Sequence, residues 1–202
     1  MNVVRFGLAV CAWASLAFGD AVARLRIATV WVDLPAAIES GGAGILALTA
    51  WGTRSRWEGD AIDDRQRFAD SCGPAALRAV LRHRGLSAPQ ELLWSLCRVP
   101  GGGTTLGRLA AIAQRFGFEC RLAWDPELER VHPPAVVHLA RGHFVVLERR
   151  TGGCVRILDP ACGRVRVSVE TLRREASGAL LVFPATSAAS GAGRTPERRS
   201  AW

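Results

Sequence analysis

The sequence predicts an α+β domain in which a helical N-terminal half packs on an antiparallel β-sheet formed by the C-terminal half. Two observations support this fold class. Apolar residues recur at helical spacing between residues 72 and 117. From residue 118 to residue 184 the pattern becomes strand-like, and turn-forming residues separate the later runs. Helices followed by consecutive strands are typical of an antiparallel sheet with the helices on one side.

The first helix is predicted to begin at the tripeptide Cys72-Gly73-Pro74 and to end at Gly85. Proline suits the first helical turn, where its missing N–H group is not needed. Glycine after the last apolar position is a common helix stop. The cysteine therefore lies at a helix N-terminus.

Two more helices follow in the helical half. We expect Ser87 and Gln90 to form a capping box at the start of the second helix, with Pro89 in its first turn. Thr105 is predicted to open the third helix, and Gly117 to end it.

The strand half contains six β-type runs and one further short helix. Ser168 is predicted to cap that helix, VETLRREA, and the last run is expected to close the sheet. In chain order the runs are FECRLAW, AVVHLA, HFVVLERR, CVRILD, RVRVS and ALLVFP.

Composition limits the class of protein. The chain has 202 residues, of which 49% are hydrophobic, which suits one globular domain with additional sequence. Its net charge is +8, but all 26 basic residues are arginines and they are scattered rather than grouped. We therefore predict no nucleic-acid partner, because a phosphate-binding protein would concentrate its cations and would not need to exclude lysine.

The N-terminus resembles a secretory signal. Arg5 precedes an uncharged apolar stretch over residues 6–19, and small residues at 17–19 and 21–23 have signal-peptidase spacing. We expect residues 1–23 to be a cleaved signal peptide or an uncleaved membrane anchor. The predicted localisation is the bacterial cell envelope, as a periplasmic, secreted or membrane-anchored protein.

The remaining chain divides into three parts. Residues 24–59 are predicted to be an extension that packs on the domain or on the membrane surface. Residues 60–184 form the predicted domain. Residues 185–202 have almost no large apolar side chains and are predicted to be a disordered tail.

The cysteines do not indicate a metal site. There is no CxxC pair and no Cys/His cluster with zinc-ligand spacing, so we predict neither a metal nor an organic cofactor. Cys97, Cys120, Cys154 and Cys162 are either disulfide partners or small buried hydrophobic residues. The sequence leaves both alternatives open.

Cys72 has the position of an activated nucleophile. A thiol becomes a good nucleophile only as a thiolate, and a helix N-terminus favours that negative charge. Gly73 would allow a substrate carbonyl to approach the backbone closely. Such a nucleophile also needs a general base, a group that orients the base and oxyanion donors.

Of the four histidines, His143 is the best candidate for the base. His83 lies on the same helix as Cys72, about 16 Å along its axis, and cannot reach it. His132 lies in a proline-rich loop, and His138 lies within an apolar strand. His143 begins the strand HFVVLERR, where a side chain can point into a cleft.

Asp159 is the candidate for the orienting group. It ends the strand CVRILD, and the start of one antiparallel strand lies beside the end of the next. His143 and Asp159 are therefore neighbours if the turn falls within residues 151–153.

These residues stand in a pattern that resembles the C39 peptidase family, the papain-like cysteine peptidases that process bacteriocin leader peptides. The matching segments are Gln66, DSCGPAA, GGGTTLGRLAAIAQRFGFE, PPAVVHLARGHFVVLE and LDPACGRVRVS, spread over residues 62–184. The resemblance implies a papain-like fold. It also implies that Cys72 is the nucleophile, His143 the base and Asp159 the orienting group, and that Gln66 contributes to the oxyanion hole.

The resemblance further implies hydrolysis of a peptide or protein substrate, with cleavage after a Gly-Gly pair in a leader peptide. The chain carries no transmembrane bundle and no nucleotide-binding motif, so an export transporter encoded separately is a candidate partner. Two alternatives remain. One is a papain-like acyltransferase or transpeptidase, and the other is a catalytically silent envelope protein that binds peptide.

Overall fold

The computed structural model describes residues 24–27, 30–33, 50–52, 55–59 and 61–184. The helices are α1 (Cys72–His83), α2 (Gln90–Cys97), α3 (Leu106–Arg115) and α4 (Val169–Glu175). The strands are β1 (Arg24–Ile27), β2 (Val30–Asp33), β3 (Arg56–Gly59), β4 (Arg121–Trp124), β5 (Ala135–Leu139), β6 (His143–Thr151), β7 (Cys154–Asp159), β8 (Gly163–Ser168) and β9 (Ala176–Val182). Short 3-10 helices lie at Ile62–Asp64 and Leu128–Arg130.

Seven of the described strands form one antiparallel sheet, in the order β3-β8-β7-β6-β5-β9-β4. Strands β1 and β2 pair separately as a hairpin. The α+β prediction is confirmed, whereas the expectation that the last strand closes the sheet is wrong. Strand β9 inserts between β5 and β4, because its run includes Leu180 and Leu181, which are both buried on opposite faces of the sheet.

The sheet carries an apolar core on each face. Along β6, Phe144 and Val146 face the helical core that α1, α2 and α3 cover. Val145 and Leu147 face the second core, which contains Trp51 and residues of α4. The alternation follows from the two-residue period of a strand, and it gives β6 a covered surface on both sides.

Part of the predicted N-terminal extension packs against the second core. Trp51 is 3% exposed, and Ser55 is buried. Strand β3 adds to the sheet edge, where Arg56 pairs with Arg166, and the indole N–H of Trp57 donates to the Cys162 carbonyl at 3.1 Å. Residues 50–52 and 55–59 therefore lie on the domain.

The terminal segments lie outside this description. The predicted signal or anchor over residues 1–23 and the predicted tail over residues 185–202 are both outside the described residues. Within the described ranges, no helix combines the length and apolar character needed to cross a membrane.

Helix capping agrees with the sequence at two ends and differs at a third. The side chains of Thr105 and Ser168 each accept a hydrogen bond from the main-chain N–H three residues on, as predicted. The prediction of a capping box formed by Ser87 and Gln90 is wrong. The N-cap of α2 is Pro89, in an extended conformation with no side-chain cap. The Gln90 side chain is buried, and its Nε2 has no hydrogen-bond partner in the described part of the chain.

Candidate active site

A tight loop brings Cys72 to the end of the sheet. The Ser71 hydroxyl accepts from the Phe68 N–H and donates to the Phe68 carbonyl, both at 2.9 Å. The main-chain N–H of Gln66 donates to the Pro160 carbonyl at 2.9 Å. The loop before α1 is thereby fixed against the turn that follows Asp159.

The β6–β7 hairpin brings His143 and Asp159 together. Nε2 of His143 lies 2.7 Å from Oδ1 of Asp159. Val146 pairs with Leu158, so Asp159 continues β7 past that pair towards the start of β6, on the same face of the hairpin as His143. The strands meet at a turn of residues 152–153, and the predicted neighbourhood of the two side chains is confirmed.

Other groups also hold the Asp159 carboxylate, which is only 1% exposed. The indole N–H of Trp51 donates to Oδ2 at 2.9 Å, and the Ala161 N–H donates to Oδ1 at 2.9 Å. Nη2 of Arg141 lies 3.7 Å from Oδ2. Sequence reasoning missed Trp51 because it belongs to a short apolar run, ILALTAW, that carries no motif.

The electrostatics favour a charged His143–Asp159 pair. Burial acts to raise the pKa of Asp159, but the hydrogen bond and charge of His143, with the Ala161 and Trp51 donors, lower it below the usual value. Burial acts to lower the pKa of His143, but hydrogen bonds to Asp159 and Cys72 and their charges raise it to about 9. Asp159 thus stabilises an imidazolium at neutral pH.

The sulfur of Cys72 lies against this imidazole. Burial acts to raise the pKa of Cys72, but the hydrogen bond and charge of His143 outweigh it, with help from the main-chain N–H groups of Phe144 and Gly73. The net pKa is below that of an ordinary thiol. Since Nε2 of His143 is bonded to Asp159, Nδ1 is the ring nitrogen left for the sulfur.

The other cysteines with a resolved shift behave in the opposite way. Burial raises the pKa of Cys97 to about 12 and also raises those of Cys120 and Cys162. The five cysteines of the described part are free thiols, so the disulfide alternative is not realised among them. The described residues also contain no His/Cys/Asp/Glu group able to hold a metal ion.

Gln66 lies near this group but does not point at the sulfur. Its Nε2 donates to the carbonyls of Phe68 and Ala69 at 3.3 and 3.4 Å. Its Oε1 is buried and has no hydrogen-bond partner within the described part of the chain. The structure therefore brings Cys72, His143 and Asp159 together and leaves the Gln66 amide turned into its own loop.

The remaining histidine of the strand region has another environment. Nδ1 of His138 lies 2.8 Å from the Ser177 hydroxyl, and its ring is tilted against Phe144 at 4.8 Å between centroids. Burial and the charge of His143 lower its pKa. His138 is held within the sheet and is a neighbour of the site rather than its base.

Chemically, the arrangement combines a half-buried thiol of lowered pKa, an imidazole of raised pKa and a fixed carboxylate. Fold and site together define the papain-like class of cysteine peptidase domains. A model of the Peptidase C39 family matches residues 64–188. The chain belongs to that family.

Individual relatives agree with this membership. An uncharacterized protein of Methanothermobacter thermautotrophicus is 32% identical over 127 residues, which cover 61% of this chain and 89% of the relative. The lactococcin-G-processing and transport ATP-binding protein LagD of Lactococcus lactis is 26% identical over 59% of this chain, and the match spans 18% of LagD.

Solved structures show the same fold. The double glycine motif protease of an AMS/PCAT transporter, crystallised with its leader peptide, has a TM-score of 0.55 and 30% identity, covering 59% of this chain and 87% of that chain. The peptidase domain of Streptococcus ComA, a bifunctional ABC transporter of a quorum-sensing pathway, has a TM-score of 0.53 and 26% identity, covering 59% and 96%.

Proposed function

We propose that this chain is a cysteine peptidase in which Cys72, His143 and Asp159 carry the chemistry. The observation that supports this most directly is the Cys72 sulfur at the start of α1, hydrogen-bonded to a His143 ring that is itself held 2.7 Å from Asp159. A nucleophile, a base and an orienting group in contact are the requirements of covalent acyl transfer.

The proposed reaction has two stages. The Cys72 thiolate attacks the scissile carbonyl carbon, and the His143 imidazolium gives its Nδ1 proton to the leaving amine, which leaves a thioester. Water then attacks the thioester with His143 as general base, and the thiolate leaves. Asp159 keeps the ring in the tautomer that this cycle needs.

The oxyanion of each tetrahedral intermediate needs donors. The Cys72 main-chain N–H at the start of α1 is one candidate, and the Gln66 amide is the other. Gln66 would have to turn from the Phe68 and Ala69 carbonyls, to which its two hydrogen bonds are long. One oxyanion donor is worth about 3–4 kcal/mol of transition-state stabilisation, which exceeds the loss of such bonds.

The proposed substrate is a peptide cleaved after Gly-Gly. This rests on the relatives, which include a double glycine motif protease bound to a leader peptide and a lactococcin-processing transporter. By the same argument, we propose that an export transporter is the partner.

The experiment compares wild type with Cys72→Ala on peptides that contain Gly-Gly and on matched peptides that contain Ala-Ala. Mass spectrometry should show one cut after the second glycine for wild type alone. Equal turnover by the two proteins would contradict the proposal. Adding an acceptor amine identifies acyl transfer by a ligated product, and peptide binding without turnover identifies a silent binding protein.

Envelope localisation is a separate proposal, because it rests on residues 1–23. Cell fractionation together with mass spectrometry of the mature N-terminus tests it. A cytoplasmic protein that retains Met1 would contradict it.

A further inference from the structure

We infer that Trp51 is a positioning residue for the Asp159 carboxylate, so that a segment upstream of the family-matched region completes the active site of this chain. The family model begins at residue 64, and Trp51 precedes it. The inference rests on the proposed function for its catalytic meaning, whereas its geometry stands independently.

The two oxygens of Asp159 have separate partners. Oδ1 receives His143 Nε2 at 2.7 Å and the Ala161 N–H at 2.9 Å. In the described part of the chain, Trp51 supplies the N–H that lies within hydrogen-bond distance of Oδ2, at 2.9 Å. A carboxylate that is held at both oxygens cannot rotate. By holding Oδ2, the indole therefore also fixes the position of Oδ1, which faces the imidazole.

Arg141 fixes the indole in turn. Its Nη1 donates to the Ala50 carbonyl at 2.7 Å, and its guanidinium carbon lies 5.2 Å from the centroid of the Trp51 ring. Its Nη2 lies 3.7 Å from Oδ2 of Asp159. The Cys162 thiol also hydrogen-bonds this carboxylate. Without the indole N–H, the guanidinium of Arg141 and the thiol of Cys162 are the partners that remain, and the carboxylate would turn towards them and away from His143.

Arg141 lies in the β5–β6 turn, so Trp51 is held by the same end of the sheet that carries the base. Trp51 is 3% exposed and belongs to the second core. The contact is therefore part of the packed domain.

The titratable and charged groups that face the His143–Asp159 pair come from every element around it. They are Cys72 from α1, His138 from β5, Arg141 from the β5–β6 turn, Cys162 from the β7–β8 turn and Arg65 from the loop before α1.

The test compares Trp51→Phe with Trp57→Phe in the full-length chain. Trp57 is a matched control, because its indole N–H also ties the N-terminal segment to the domain, but it donates to the Cys162 carbonyl. In Trp51→Phe, the midpoint of the alkaline limb of the kcat/KM profile should move to lower pH by about one unit. This is the shift expected when a charge-assisted hydrogen bond is loosened. Trp57→Phe should leave that limb in place.

A second readout needs no peptidase activity. Iodoacetamide labels Cys72 as the thiolate, and mass spectrometry of the peptide that contains Cys72 gives the labelling rate at each pH. The midpoint of the labelling profile should move to higher pH in Trp51→Phe relative to Trp57→Phe, because a less stabilised imidazolium lowers the pKa of Cys72 less. Circular dichroism and the urea unfolding midpoint establish that both variants fold.

If Trp51→Phe does not fold, 3-benzothienylalanine at position 51 keeps the size of the ring and removes the N–H. The inference is overturned if folded variants at positions 51 and 57 have the same labelling profile and the same kcat/KM profile. It is also overturned if the alkaline midpoint of a position-51 variant moves to higher pH. A wild type that labels rapidly at neutral pH but cleaves no peptide overturns the proposed function and leaves the role of Trp51 standing.

Discussion

His143 and Asp159 are joined by a 2.7 Å contact between Nε2 and Oδ1, although they lie sixteen residues apart in the chain. The contact decides the roles of both ring nitrogens, since Nδ1 is then the one free to serve Cys72. It also makes the protonation states of the three residues interdependent, which leads to the first expectation.

The kcat/KM profile should be bell-shaped. His143, whose pKa is raised to about 9, stays protonated through neutral pH, so activity should fall as pH rises through about 9 and the leaving amine loses its proton donor. On the acid side, activity should fall when the Cys72 thiolate is protonated. Because the pKa of Cys72 is lowered, this should happen below the pH at which an ordinary thiol titrates. A single rise to a plateau near the pKa of an ordinary thiol would contradict this.

Asp159→Asn should lower kcat/KM by about 10²-fold or more, by analogy with amide substitution in related triads. An asparagine that offers its oxygen to His143 must turn its NH2 towards the indole N–H of Trp51, donor against donor. Steady-state kinetics would measure the loss. Asp63→Asn, at a carboxylate that is 81% exposed, is the control and should change little. Near-normal activity of Asp159→Asn would show that the carboxylate charge is dispensable.

Gly73→Ala should destabilise the protein by about 1–3 kcal/mol through overpacking. A Cβ at this position would lie 2.2 Å from Cγ2 of Thr104 and 3.2 Å from a ring carbon of Phe144. Thr104→Ser removes Cγ2 and retains the hydroxyl that donates to the Cys97 carbonyl at 2.8 Å. Urea unfolding should show that the double variant recovers much of the loss. A double variant no more stable than Gly73→Ala would exclude this clash as the cause.

Thr105→Ala and Ser168→Ala should each lower the free energy of unfolding by about 1 kcal/mol, because each removes a side-chain cap. Ser87→Ala should stay within about 0.5 kcal/mol of wild type, since Ser87 is exposed and does not cap α2. Chemical denaturation gives all three values. If Ser87→Ala lowers the free energy of unfolding as much as Thr105→Ala does, Ser87 caps α2 after all.

The helical half and the His143–Asp159 contact could be predicted because their causes are local. Helical spacing places Cys72 at the start of α1, and the turn at residues 152–153 sets the register that joins two strand ends. A hairpin encodes its own geometry, so the pairing follows without knowledge of the rest of the fold.

The parts that could not be predicted depend on contacts between distant segments. Trp51 and Asp159 are 108 residues apart, and no periodicity in a short apolar run indicates such a contact. The position of β9 between β5 and β4 depends on burial against both apolar cores, which the order of the strands in the chain does not indicate. The sequence suggests that Gly73 allows substrate to approach, whereas the structure shows that Thr104, from a separate loop, also leaves no room for a side chain at this position.

The assembly of the site from two layers has a consequence for the newly synthesised chain. One hairpin supplies the imidazole and the carboxylate, whereas the sulfur arrives on a helix from the other layer. Until that helix docks, Cys72 lacks the neighbours that lower its pKa and behaves as an ordinary thiol. The activation of this thiol is thus coupled to completed folding.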